Sequence, residues 1–281
     1  MSAVAAAPTQ DPRLAHWGLV EPPFALDPDP RFAFERSDHR EGLARILFGI
    51  TQIGGVVLVT GEIGCGKTML ATSLTSMMRD DGLRVARVSN PPRTGAALLG
   101  DLLEASGGPA AGRTAARRAA DLRTHLADGG GRFALLVDEA QRLDRRALDE
   151  LRLLTNPGDA PGAPVVLLGQ PELLPKIAAM PQVDQRVAVR HHLRGMDPAE
   201  VKEYVDHRTR VAGAERPLFS NRAIEAIHIE SRGIPRLVNM TCASALFIAA
   251  IRGETKVTED TVRDVAEDQR AARDVGEGAV Q

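Results

Sequence analysis

The run Gly61-Glu62-Ile63-Gly64-Cys65-Gly66-Lys67-Thr68 fits the pattern G-x-x-x-x-G-K-[ST] in full. Its glycines let backbone N–H groups turn inward around phosphate oxygens. A helix beginning at Lys67 adds the partial positive charge of its first turn. In this pattern Lys67 contacts the β- and γ-phosphates, and the Thr68 hydroxyl ligates Mg2+. Met69 follows in the same first turn. Residues Gly61 to Met69 are therefore expected to hold the nucleotide, with ATP and Mg2+ as cofactors. The plain alternative is an ordinary glycine-rich turn.

A second group lies at the end of an apolar run, Phe133-Ala134-Leu135-Leu136-Val137-Asp138-Glu139. An acidic pair where a buried strand stops stands where α/β sheets bind ligands. Asp138 would hold Mg2+, directly or through water, and Glu139 would orient and polarise the attacking water. The alternative for Asp138 is a helix cap. Two acids here favour hydrolysis of a nucleotide over phosphotransfer to a small molecule.

Three further side chains are candidates for the same chemistry. Gln170, after Leu167-Leu168-Gly169, either touches the γ-phosphate or water, or serves as a turn residue. Arg186, with Arg190 as second choice, lies where an arginine finger from a neighbouring subunit would act; either residue is otherwise a surface ion pair. Arg236, in Gly233-Ile234-Pro235-Arg236, opens a helix and would point back toward the phosphates, unless it is a surface arginine. His191-His192 suits a joint metal site poorly, because neighbours on a strand face opposite ways. Two basic stretches, Arg113/Arg117/Arg118/Arg123 and Arg142/Arg145/Arg146, would meet DNA phosphates, although Asp121, Asp144 and Asp149 dilute them.

The elements that position these residues follow from the apolar pattern. Strands are expected at Val56–Thr60, Arg84–Val88, Phe133–Val137, Val165–Leu168 and Val187–Leu193. Helices fill the gaps: His39 to Gln52 with Asp38 as cap, Lys67–Arg79, Thr94–Ala105, Arg113–Leu126 and Asp144–Leu154. Alternation of this kind means crossover units and a parallel sheet covered on both faces. After Met196 the pattern is helical only, at 197–212, 220–231, 235–252 and 258–271. The expected organisation is an N-terminal arm (1–38), partly disordered at its start, an αβα core (39–196), a helical lid (197–271) and a flexible tail (272–281).

The chain has 281 residues, 43% hydrophobic and 26% charged, with a formal net charge of -2. That permits a sizeable core and gives no general attraction to polyanions. Its two cysteines are too few for a disulfide framework, which points to a reducing, cytoplasmic setting. The start lacks a basic n-region, and no apolar run reaches the roughly 20 residues a membrane span needs, so no direct membrane insertion is expected.

Together the motifs resemble the ExeA-like branch of the AAA+ ATPases. The matching pieces are Pro22-Pro23-Phe24, Pro28-Asp29-Pro30-Arg31-Phe32, His39 to Gly49, Thr60 to Thr68, and Val137-Asp138-Glu139-Ala140-Gln141. Further pieces are Leu151 to Asn156, Leu168-Gly169-Gln170-Pro171-Glu172-Leu173 and Gly233 to Asn239. The resemblance covers about residues 17–252. It implies a three-layer αβα P-loop fold with parallel strand order 5-1-4-3-2, followed by a helical lid. It places Gln170 at the sensor-1 position and Arg236 at sensor 2, supports Arg186 as the finger, and implies a homo-oligomer, ring or filament, with ATP between subunits. The family's namesake serves type II secretion and carries a membrane segment and a peptidoglycan-binding region, neither of which is expected in this sequence. Shorter relatives resemble the ATPases that accompany DDE transposases and bind duplex DNA. The expected function is a DNA-associated ATPase that recruits or stimulates a transposase. The alternatives are a secretion or envelope-assembly ATPase working with membrane proteins, or a slowly hydrolysing nucleotide-dependent scaffold.

Overall fold

A computed structural model describes residues 11–26, 29–34, 36–109, 112, 114–128, 133–156 and 162–278. Contacts divide the chain into two units, Ser37–Arg194 and a second built from the segments on either side of it.

In chain order, helix α1 (Pro12–Trp17) and a 3-10 turn (Pro30–Phe32) lead to α2 (Ser37–Phe48), which runs into a π-turn (Gly49–Ile53). Then come β1 (Val56–Gly61), α3 (Lys67–Asp80), β2 (Arg84–Val88), α4 (Gly95–Ala105), α5 (Ala115–Asp128) and β3 (Phe133–Val137). After a 3-10 turn (Ala140–Arg142) follow α6 (Arg145–Leu154), β4 (Val165–Gly169), α7 (Leu173–Ala178), α8 (Pro181–Asp184) and β5 (Val187–Leu193). The remainder is helical: α9 (Pro198–Val211), α10 (Asn221–Ser231), α11 (Pro235–Ile251) and α12 (Glu259–Gly278).

The sheet runs β2-β3-β4-β1-β5, every pair parallel. This is the expected order 5-1-4-3-2 read from the other edge. Strands β1, β3 and β4 are buried at every residue, as strands covered on both faces must be. Alternate residues feed two cores. Leu58, Leu135 and Leu167 join α4 and α6 on one face, while Val57, Val59, Leu136 and Leu168 join α2 and α3 on the other. The register pairs Thr60 with Gly169 and Val137 with Leu167, so the strands end together and deliver their following loops to one edge.

Three local expectations need correction. The helix expected over 39–52 is α-helical only to Phe48 and continues as the π-turn over Gly49–Ile53; Gly49 lies against the sheet, where a Cβ would come within 2.8 Å of Val57 Cγ2. Asp38 lies inside α2 rather than capping it, and its carboxylate accepts the Arg194 backbone N–H at 2.9 Å. The last helix continues to Gly278, well past 271. Helices α7 and α8 were not anticipated, since Pro175 and Pro181 break their pattern into pieces too short for periodicity to show. Arg113 lies outside the described residues.

In the helical unit, Trp17, Leu19, Phe24 and Phe32 share a core with Tyr204, Val205 and Leu246. The Trp17 indole N–H donates to the Leu246 carbonyl at 3.1 Å. Arg208 is the polar centre. Its guanidinium donates to Pro23 O (2.6 Å), Ala25 O (3.3 Å) and the Tyr204 hydroxyl (2.9 Å), and it lies 5.0 Å from the Phe32 ring centroid. The Tyr204 hydroxyl donates onward to Asn239 Oδ1 at 2.8 Å. Replacing Arg208 by Ala strands buried carbonyls and frees the arm. The expected cost is about 2–4 kcal/mol. Trp17, the only tryptophan and 5% exposed, should then shift its emission to the red; an unchanged emission maximum and denaturation midpoint contradicts the assignment.

Candidate functional site

The phosphate loop leaves β1 at Gly61 and enters α3 at Lys67. No side chain caps α3, which leaves its first-turn N–H groups directed at whatever the loop holds. Gly64 and Gly66 adopt φ 83° and 102°, where a Cβ is strained, and a Cβ on Gly66 would also meet the His39 ring at 2.7 Å. Cys65 is buried with its sulfur facing Gly61, so it can serve a ligand only through its backbone. Ile63 and Met69 are exposed on the loop's outside. Lys67 is 6% exposed, and its ammonium donates to Gly61 O at 2.7 Å and Glu62 O at 3.0 Å.

Across the sheet, Asp138 is 3% exposed. One carboxylate oxygen accepts the Glu139 backbone N–H at 2.9 Å, and the other lies 3.4 Å from the Thr68 hydroxyl and 3.8 Å from an Arg87 nitrogen. Burial pushes the Asp138 carboxyl above the usual range. The Glu139 N–H opposes that, the Glu139 charge reinforces it, and Arg87 and Lys67 pull it back. Glu139 has φ 53°, a left-handed backbone that costs a non-glycine residue roughly 1–3 kcal/mol and is found mostly at functional sites. Its carboxylate accepts from the Gln141 side-chain amide at 2.6 Å, with the Gln170 amide at 3.5 Å. The Gln170 backbone N–H in turn donates to Gln141 Oε1 at 3.1 Å. Lys176 grips the carbonyls of Gln141 (2.5 Å) and Leu143 (2.8 Å) from α7.

These residues fit the groups the motifs imply. Left-handed glycines and an uncapped helix end form an anion cradle with Lys67 across it. Thr68 and Asp138 are hard oxygen donors side by side, the sparse protein set Mg2+ takes when phosphates and water complete its shell. Among the described residues no group of three or more His, Cys, Asp or Glu forms a separate metal site.

The structure does not bring every candidate to this edge. Arg186 is exposed at the start of β5, and its carbonyl accepts the Val56 N–H at 2.9 Å. The loop lies at the other end of these strands, where Gly61 pairs with Leu193, so Arg186 is about 16 Å along the sheet from its own loop. Arg190 is ion-paired with Asp184 at 2.7 Å. Arg236 belongs to the helical unit and is exposed in the first turn of α11. His191 is buried and His192 exposed, on opposite faces as their spacing predicts. The basic stretches are largely engaged. Arg117 pairs with Asp121, Arg118 donates to Ala96 O and Gly112 O, Arg123 to Leu153 O, and Arg142 to Asn90. Sequence reasoning missed Arg87, Gln141 and Lys176. Only Gln141 carried a signal, its place two residues after Glu139.

Residues 50–177 match the AAA domain family. The chain is 36% identical over 268 residues to General secretion pathway protein A of Aeromonas hydrophila, a match taking in 92% of this chain and 49% of that protein. It thus spans about half the length of that relative. Among solved structures, Cdc6p from Pyrobaculum aerophilum is similar at TM-score 0.69 and 17% identity, over 89% of this chain and 71% of that one. The ORC2 protein of Aeropyrum pernix, in ADPNP–ADP complexes, is similar at TM-score 0.64 and 20% identity, over 87% and 71%. Sheet order, loop and family match together define a P-loop protein of the AAA+ class. Within that class the two matches support an ExeA-like AAA+ ATPase, the branch of the Aeromonas secretion protein.

Because burial raises the Asp138 pKa on folding, the folded chain binds more protons than the unfolded one just above the ordinary carboxylate range. Stability therefore falls as pH rises through that window, and the ionised form remains a burden at neutral pH. Asp138→Asn, which keeps the acceptor for the Glu139 N–H, should raise the metal-free melting temperature by a few degrees. It should also abolish the further rise that Mg-ATP gives the parent. Thermal scans of both proteins, with and without Mg-ATP, check this.

Proposed function

We propose that the chain binds Mg-ATP at the loop Gly61–Met69 and hydrolyses it to ADP and phosphate between copies of itself. The observation that carries this reading is the convergence of Lys67, the Thr68–Asp138 pair and Glu139 at one sheet edge. Lys67 exchanges the Gly61 and Glu62 carbonyls for β- and γ-phosphate oxygens. Thr68 and Asp138 would hold Mg2+, which would supply charge neutralisation to the triphosphate. Glu139 accepts a proton from water as it attacks the γ-phosphorus, and the bond to the β-phosphate oxygen breaks. Gln170, at the end of β4, touches the γ-phosphate or the water. Arg236 contacts the phosphates from the helical lid, making lid position depend on nucleotide.

Arg186 completes the site of the next subunit in a ring or filament. Its distance from its own loop prevents action within one chain, and the Asp184 pairing of Arg190 favours Arg186 over Arg190. Two buried cysteines, neither in a disulfide, suit a reducing cytoplasm, and no helix among the described residues is long and apolar enough to cross a membrane.

For the client, 36% identity over 92% of the chain to a protein named for general secretion favours assembly of an envelope or secretion apparatus through membrane proteins. The transposase-recruiting alternative rests on the basic helices, whose arginines are mostly tied within their own unit.

Lys67→Ala should abolish nucleotide uptake in calorimetry, and Glu139→Gln should bind ATP and retain it unhydrolysed in a single-turnover assay. Arg186→Ala should cut turnover about 10³-fold with affinity retained, while Arg190→Ala should not. Normal turnover in Arg186→Ala removes the finger assignment, and no uptake by the parent removes the function. ATP-dependent duplex-DNA binding with a steep salt slope would restore the transposition reading.

A further inference from the structure

The Glu139 side chain, which must sit beside the attacking water, is held by neither the strand nor the phosphate loop. Its shortest side-chain contact is with Gln141, 2.6 Å from Oε2. The same Gln141 amide accepts the Gln170 backbone N–H through Oε1 at 3.1 Å. We propose that Gln141 is a positioning residue for hydrolysis: one primary amide that fixes the carboxylate of Glu139 and couples it to the backbone at the end of β4. The inference rests on the reading of Glu139 as the base.

A primary amide carries a donor and an acceptor in one rigid plane, whereas a carboxylate offers two acceptors and an alkyl group neither. Gln141 spends its donor on Glu139 and its acceptor on residue 170, the two sides of the cleft where water must be placed. Its own backbone is fixed by the 3-10 turn over Ala140–Arg142 and by Lys176, which holds the carbonyls of Gln141 and Leu143. The sheet end is shaped around the amide, since a Cβ on Gly169 would come within 3.0 Å of Gln141 Oε1. With Oε2 committed to Gln141 and the Gln170 amide, Oε1 is the oxygen left to accept the proton from water. A shift of β4's end when Gln170 meets a γ-phosphate is then passed to the base through two hydrogen bonds.

The test compares steady-state kinetics, nucleotide affinity and kcat–pH profiles of the parent, Gln141→Leu and Gln141→Glu. Gln141→Leu should lose about tenfold or more in kcat, within the range of general-base contributions, while KM and ATP affinity stay within about twofold. Gln141→Glu sets a second carboxylate against Glu139, which raises the base's pKa and moves the acid limb of the kcat profile up by on the order of one pH unit. A role in packing alone would not move that limb. ATP uptake in calorimetry serves as the folding control; if Gln141→Leu fails it, the pH profile of Gln141→Glu decides. A parent that hydrolyses ATP beside variants with its kcat and acid limb overturns this inference alone. A parent that hydrolyses no ATP removes the proposed function and this inference with it.

Discussion

Parallel strands in register have one property that the rest of the nucleotide unit uses: their ends of like polarity fall along a single edge. With Thr60 opposite Gly169 and Val137 opposite Leu167, the loops after β1, β3 and β4 must emerge side by side. Lys67, Asp138 and Gln170 come from distant parts of the sequence yet need no long excursion to meet. The requirement this places on composition is severe. Strands covered on both faces must be nearly all apolar, and β1, β3 and β4 are buried at every residue, with Thr60 as their polar side chain, satisfied by His192. Polar chemistry is thus confined to the first residues beyond each strand.

That confinement explains the electrostatics of the site. Asp138 follows β3 directly and inherits the strand's burial, which works against its charge. Thr68, Arg87 and the Glu139 N–H each offer it partial compensation at 3.4, 3.8 and 2.9 Å. Glu139, one residue further on, turns through a left-handed backbone and reaches the amides of Gln141 and Gln170. Adjacent acids in sequence therefore occupy different environments, one beside the Thr68 hydroxyl and one beside the side-chain amides of Gln141 and Gln170.

Much of this was legible in the amino-acid order. Strands β2, β3 and β5 were readable to the residue: β3 is an apolar run closed by Asp138, β2 lies between the breaks at Gly82 and Pro91-Pro92, and β5 lies between Arg186 and Arg194. The loop Gly61–Thr68 announced itself through glycine spacing and its place between strand and helix. What escaped notice were long-range polar partners. Nothing in the order of residues pairs Lys176 with Gln141 or Arg87 with Asp138, since side-chain geometry across a sheet has no periodic signature. The π-turn after α2 also escaped, because a single turn of i→i+5 bonding leaves no periodic mark distinct from an α-helix. In the arm, the anchor of the Pro23 and Ala25 carbonyls, Arg208, looks in the sequence like any other helix-surface cation.

The arm's partner has a consequence for the order in which the chain matures. The Trp17 N–H finds its acceptor 229 residues later, at Leu246. Synthesis releases the arm first, then the sheet unit, and only afterwards α9 and α11, which complete the pocket for Trp17, Leu19 and Phe24. The sheet unit has no such wait, since its strands and helices are contiguous in sequence. It can fold as it emerges, whereas the helical unit must wait until both of its segments, separated in sequence by residues 37–194, have been made. During that interval three large apolar side chains of the arm stay uncovered, which makes the nascent protein most vulnerable to misassociation before α11 has left the ribosome.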